Sequence, residues 1–157
     1  MALFDGPLRH AIHALKYRRL ASMADPLGDA LAAFWATADL PADLVVPVPL
    51  HAARQRERGY NQAELLARRV GRAAGVTMRA HALKRTRETA VQMSLNAADR
   101  RANVSGAFFC EDSAVRGMAV LVIDDVCTTG STLDACARAL LEAGASVVRG
   151  LTLARTA

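Results

Sequence analysis

Aromatic side chains are scarce, 4% of 157 residues. Proteins that grip single-stranded nucleic acid stack bases on such side chains, so this chain is expected to bind nucleic acid at most weakly and without sequence preference. Cysteine is confined to Cys110, Cys127 and Cys136, an odd number with no C-x-x-C pair. That argues against a disulfide framework and a zinc site, and fits a reducing, cytoplasmic setting. No apolar run approaches membrane-spanning length and the N-terminus carries no signal-peptide core, so no membrane partner is expected. Two phosphate chemistries also lack their signatures. The G-x-x-x-x-G-K-[ST] of P-loop nucleotide hydrolases is missing, and a phosphatase-type D-x-D is missing because the relevant acids are adjacent.

Length and composition favour one domain spanning residues 1–157, since 52% hydrophobic residues suffice for one core and nothing reads as a linker or repeat. A net charge of +5 and a pI near 9.7 favour anionic partners. The most informative stretch is Val120-Leu121-Val122-Ile123-Asp124-Asp125-Val126-Cys127-Thr128-Thr129-Gly130-Ser131-Thr132. Four consecutive apolar, mostly β-branched residues suit a strand covered on both faces, as in a parallel sheet. The acids then fall at the strand's C-terminal end, where open α/β sheets bind ligands. Ser131-x-x-Asp134 resembles a capping box, and Leu133, Cys136, Ala137, Leu140 and Leu141 continue at helical spacing up to Gly144.

The groups in that turn define a ligand. Unpaired backbone N–H groups at a helix start carry the positive end of the helix dipole and accommodate a phosphate. Gly130 permits close approach of the backbone, and the hydroxyls of Thr128, Thr129, Ser131 and Thr132 add donors. Two adjacent carboxylates are poor neighbours for phosphate but good acceptors for a pair of hydroxyls, so a phosphorylated sugar with a vicinal diol fits both halves. The segment closely resembles the phosphoribosyl-pyrophosphate (PRPP) motif of type I phosphoribosyltransferases. That resemblance implies that Asp124 and Asp125 hold the ribose hydroxyls as the catalytic pair. It also implies that Val126, Cys127, Thr128, Thr129, Gly130, Ser131 and Thr132 form the 5′-phosphate loop.

Along the chain, Pro7–Leu20 reads as a covering helix with Leu8, Ala11, Ile12 and Leu15 on one face. Arg9, Lys16, Arg18 and Arg19 read as its solvated face. His10 and His13, at i and i+3, lack an evident third metal ligand. Asp25-Pro26 opens a second helix, with Trp35 in its apolar stripe. Leu44-Val45-Val46 is a short strand, and the prolines of Pro47-Val48-Pro49-Leu50 are expected to take the chain out of the sheet as a rigid loop. The following Arg54, Arg56 and Arg58 are either a solvated helical turn or an extension of a pyrophosphate loop. Asn61-x-x-Glu64 can cap the next helix, which ends at Gly75. Val76–Leu83 reads as a weak strand and Phe108-Phe109-Cys110 as a buried one. Cys127 reads either as a packing residue or as a thiol activated by a helix N-terminus. Ser146–Leu153 is the last strand.

V-P-V-P-L-H-x-x-R-x-x-x-R-G-Y-N-Q-A, Val46 to Ala63, resembles the ComF competence-protein family of phosphoribosyltransferase homologues. Arg87-x-Thr89-x-x-Gln92-x-x-Leu95 and Arg101-x-Asn103-Val104 fit the same family. Members commonly carry an N-terminal four-cysteine zinc knuckle, which this sequence lacks. The resemblance implies an open, mostly parallel α/β sheet with helices on both faces and a small irregular hood, to which helices within residues 1–40 contribute. It implies PRPP or a nucleotide as ligand, with pyrophosphate contacts from Val48, Pro49, Arg54, Arg58, Arg85 and Arg87. Mg²⁺ is expected through pyrophosphate and ribose oxygens, with no direct protein ligand. The expected reaction is displacement of pyrophosphate from PRPP by a nitrogenous acceptor that the sequence does not identify. The alternative is a non-catalytic PRPP- or nucleotide-binding protein serving DNA uptake or another DNA-linked process. A homodimer is compatible with either.

Overall fold

The computed structural model describes residues 2–86 and 106–156. Its strands are β1 (Ala2–Leu3), β2 (Leu44–Pro47), β3 (Thr77–Met78), β4 (Leu83–Arg85), β5 (Phe108–Cys110), β6 (Ala119–Cys127) and β7 (Val147–Arg155). The helices are α1 (Gly6–Tyr17), α2 (Ala24–Ala38), α3 (Ala52–Arg58), α4 (Gln62–Ala74) and α5 (Ser131–Glu142). Five strands form an all-parallel sheet in the order β1-β7-β6-β2-β3, while β4 and β5 pair antiparallel as a separate ribbon.

Strand β6 is central because its residues are apolar on both faces. Val120 and Val122 pack with Cys136, Ala139 and Leu140 of α5 and with Leu83 and Phe108 of the ribbon. Leu121 and Ile123 point the other way, onto Ile12 and Leu15 of α1, Leu27 and Leu31 of α2, and Leu66 and Val70 of α4. Successive strand side chains alternate between faces, so one uninterrupted apolar run supplies two cores. Full burial of a leucine or isoleucine contributes roughly 1.5–3 kcal/mol. Leu121 and Ile123 are fully buried, and they anchor the sheet where the functional residues begin.

Several expectations are adjusted. Strand β1 gave no local signal; it exists through pairing with β7, Ala2 opposite Ala154. The single strand expected over Val76–Leu83 is divided, Thr77–Met78 joining the main sheet and Leu83–Arg85 the ribbon. Pro47 stays in the sheet, opposite Ile123, and the Val48 N–H donates to the Ile123 carbonyl at 2.9 Å. Amides alternate sides along a strand, so the donor that proline lacks would have pointed towards β3. That strand pairs no further than Val45 with Met78, and the proline therefore breaks no ladder bond.

Candidate ligand-binding site

The carboxyl ends of β2 and β6, the N-terminus of α5, the last turn of α1 and the ribbon supply the groups of interest. Asp124 continues the row of Val120 and Val122 towards α5 and the ribbon. Asp125 continues the row of Leu121 and Ile123 towards α1. The pair therefore straddles the strand end.

Asp124 Oδ1 accepts a hydrogen bond from the Asp125 N–H at 2.8 Å. Burial raises its pKa to about 7, assisted by the Asp125 charge and opposed by that hydrogen bond and by the charges of Lys16 and Arg85. Asp125 is 3% exposed. Its Oδ1 pairs with Lys16 Nζ at 2.7 Å, whereas Oδ2 is buried with no hydrogen-bond partner among the described residues. Lys16 was expected on a solvated face; instead its side chain is 21% exposed and bound to Asp125. The overlooked signal is its spacing: Lys16 follows buried Ile12 by four residues and therefore shares that helix face.

The turn after Asp125 differs from a capping box. Gly130, at φ +79°, takes the N-cap position, and no side chain caps the helix there. Glycine meets this left-handed geometry without strain. Ser131 is consequently the first helical residue, its Oγ 2.8 Å from Thr129 Oγ1, and Asp134 instead pairs with Arg138. The early amides of α5 are thus uncapped by side chains, which is the arrangement that accommodates an anion. Thr128 and Thr129 are exposed, Val126, Cys127 and Thr132 are half-buried, and Ser131 is buried. Val126 packs on the α1, α2 and α4 side, and the Cys127 carbonyl accepts from Thr156 N–H at 3.0 Å.

The basic residues divide. Arg54 and Arg58 are half-buried on α3 and Arg56 is exposed there, so this segment is a short helix. The Arg58 guanidinium lies 5.7 Å from the Tyr17 ring centre and its Nη1 donates to Gln62 Oε1. Arg85, on β4, stacks 5.3 Å from the Phe108 ring centre, and its charge lowers the pKa of Asp124. Arg87 and the family-like motifs from Arg87 to Val104 lie outside the described residues. Val48 is buried and Pro49 half-buried at the end of β2. His10 contacts the Gly6 carbonyl and His13 the Tyr17 ring, and no cluster of three metal-ligating side chains occurs among the described residues. No described helix is long and apolar enough to cross a membrane. Cys136, beside Asp124, is held as an unreactive thiol by burial.

Asn61 ties the β2 loop to α4. Its Oδ1 accepts from the Ala63 N–H and its Nδ2 donates to the Val48 carbonyl, both at 3.0 Å. Asn61→Ala is expected to cost about 1–2 kcal/mol, from the lost cap and an unsatisfied carbonyl. Asn61→Asp keeps the cap acceptor and should cost less; urea unfolding midpoints of the two variants provide the check. Equal losses would show that the cap contributes nothing beyond the bond to Val48.

A family model described as the phosphoribosyl transferase domain matches residues 57–157. The DNA utilization protein YhgH of Escherichia coli K12 is 37% identical over 161 residues, covering 99% of this chain and 70% of that protein. The chain belongs to the phosphoribosyltransferase family, in its ComF branch. Competence protein F of Haemophilus influenzae is 37% identical over 115 residues, covering 72% of this chain and 50% of that one. ComFC of Bacillus subtilis is 37% identical over 114 residues, covering 72% and 45%. Among solved structures, the glutamine PRPP amidotransferase of B. subtilis superposes with a TM-score of 0.55 at 23% identity, over 81% of this chain but only 25% of the amidotransferase. The purine phosphoribosyltransferase of Pyrococcus horikoshii gives 0.51 at 16% identity, over 89% and 75%. These likenesses agree with the parallel sheet flanked by helices. Helix α1, which supplies Lys16, lies outside the region matched by the phosphoribosyltransferase family model.

Proposed function

We propose that this phosphoribosyltransferase binds PRPP and transfers its phosphoribosyl group to a nitrogenous acceptor with release of pyrophosphate. The observation that carries the reading is the juxtaposition of two unlike half-sites on consecutive residues. A carboxylate pair ends β6, and an uncapped helix N-terminus with hydroxyl-bearing neighbours begins α5. In this reading the α5 amides and Thr128, Thr129, Ser131 and Thr132 bind the 5′-phosphate. Asp124 and Asp125 accept hydrogen bonds from the ribose hydroxyls. The burial and unmatched Oδ2 of Asp125 are those of an acceptor awaiting a donor.

Breaking the bond at the anomeric carbon places positive charge on the sugar ring, as in glycoside chemistry. Two carboxylates beneath the ribose favour that charge electrostatically, and fixed charges of this kind act most strongly where water is excluded. Arg54 and Arg58 of α3, with Arg85 and Arg87, are assigned to the pyrophosphate. The charge of Arg85 acts on Asp124, which supports that assignment for Arg85. In this reading Mg²⁺ would be held by pyrophosphate and ribose oxygens of the ligand rather than by a side chain. When bound, it supplies charge neutralisation on the departing pyrophosphate.

Incubation with PRPP, Mg²⁺ and a panel of bases and amines, with pyrophosphate release as readout, tests the reading. Acceptor-dependent release is the expected result. PRPP binding without release by any acceptor would favour the second reading, a non-catalytic PRPP or nucleotide sensor in a DNA-linked process. The names of the DNA utilization and competence relatives support that second reading.

A further inference from the structure

We propose that Lys16 is a positioning residue of the ribose half-site: it clamps one oxygen of Asp125 and leaves the other as the acceptor for a ligand hydroxyl. The inference rests on the PRPP reading above and adds a group from α1 that neither the acidic motif nor the matched family region contains.

The geometry supports a clamp. An adjacent aspartate pair has a mutual repulsion to overcome, and a free carboxylate can rotate to turn either oxygen inward. The 2.7 Å contact from Lys16 Nζ to Oδ1 fixes that rotation and offsets one charge. Oδ2 is thereby the distinct, unsatisfied oxygen. Lys16 is itself held by the rest of its turn. The Leu15 carbonyl accepts a hydrogen bond from the Tyr60 hydroxyl, and Arg19 Nη2 donates to the Glu57 carbonyl at 2.9 Å. Tyr17 lies under the Arg58 guanidinium. The end of α1 is therefore fastened to α3 and to the Tyr60 turn between α3 and α4, which gives Lys16 a fixed origin from which to reach β6. A lysine held in this way suits orientation better than a flexible surface cation.

The test compares Lys16→Met, Lys16→Arg, Asp125→Asn and the double variant Lys16→Met/Asp125→Asn, in calorimetric titrations with PRPP and with inorganic pyrophosphate, a probe without ribose. Lys16→Met is expected to weaken PRPP binding roughly tenfold, with a change of less than about threefold for pyrophosphate, while Lys16→Arg restores PRPP affinity to within about threefold of wild type. Because the two residues act as one unit, the double variant should bind PRPP no more weakly than Asp125→Asn alone. The double variant also carries the test if Lys16→Met does not fold, since it contains no lone buried carboxylate. Wild-type PRPP affinity in Lys16→Met overturns the proposal. So do equal losses for PRPP and pyrophosphate, or a double variant whose loss is the product of the single losses. Failure of the wild-type protein to bind PRPP would overturn the underlying functional reading as well. Wild-type binding that is weakened by Asp124→Asn but not by Lys16→Met would remove only the role of Lys16.

Discussion

Asp124→Asn should make the unliganded protein more stable at pH 8 and its complex with PRPP weaker. The sign follows from linkage. The carboxyl group titrates near 7 in the folded protein, above its ordinary value of 3.8. The native state therefore binds the proton more tightly than the unfolded chain does. The associated stability is present below the unfolded value, is lost as pH rises to about 7, and stays lost above it. Asparagine keeps an oxygen for the Asp125 N–H but carries no charge, so the penalty disappears. A gain of about 1–2 kcal/mol at pH 8 corresponds to roughly 3–6 °C in Tm for a chain of this size, with no gain expected near pH 4. Binding should move the other way: loss of a charged acceptor for a ribose hydroxyl costs about 1.5–3 kcal/mol, or roughly ten- to a hundredfold in Kd. Melts across pH, with and without PRPP and Mg²⁺, read both effects, because ligand stabilisation follows RT ln(1 + [L]/Kd). A variant that loses stability at pH 8 and keeps its PRPP response would reduce Asp124 to a structural residue.

Thr132→Asp should have an effect at least as large and of a different kind. Position 132 is the second residue of α5, where the N-cap is glycine and no side chain caps the helix. A carboxylate there is welcome to the helix, contributing about 0.3–1 kcal/mol through the dipole. It is hostile to a phosphate: like unit charges 4 Å apart at an effective dielectric of 20 repel by about 4 kcal/mol. Affinity for PRPP and for nucleoside 5′-monophosphates should therefore fall together, by about a hundredfold or more, in a protein that melts no lower than wild type. Undiminished affinity for both ligands would place the phosphate somewhere other than the α5 terminus. The two substitutions are complementary, one selective for the ribose diol and the other for the phosphate that every candidate ligand shares.

The central strand, turn and helix were legible because their information is local. A run of apolar residues that ends at two acids can be buried only up to those acids. A glycine among hydroxyl residues marks the turn, and Asn61 and Gly75 delimit α4 in the same way. What escaped was information carried by pairing. Two-residue β1 has no periodicity to detect, and its existence depends on β7, more than a hundred residues away. Thr77–Met78 and Leu83–Arg85 are close in sequence but answer to different partners, β2 and β5. Lys16 is the most consequential case. Its charge suggested solvent, whereas its spacing from Ile12 placed it at the rim of the buried face. Only the fold brings Asp125 over that rim.

The edges of the main sheet bear on how copies of this chain can associate. Both outer strands are only two residues long, Ala2–Leu3 on one side and Thr77–Met78 on the other. Strand addition requires a row of unpaired amides and carbonyls long enough to template a second chain, and short edges deny it. At the β3 edge the main sheet therefore gives little purchase for cross-β growth or edge-to-edge dimers. Exposed Phe34 on α2 and Leu141 on α5 are side-chain surfaces away from those edges, open to substitution without disturbing the sheet.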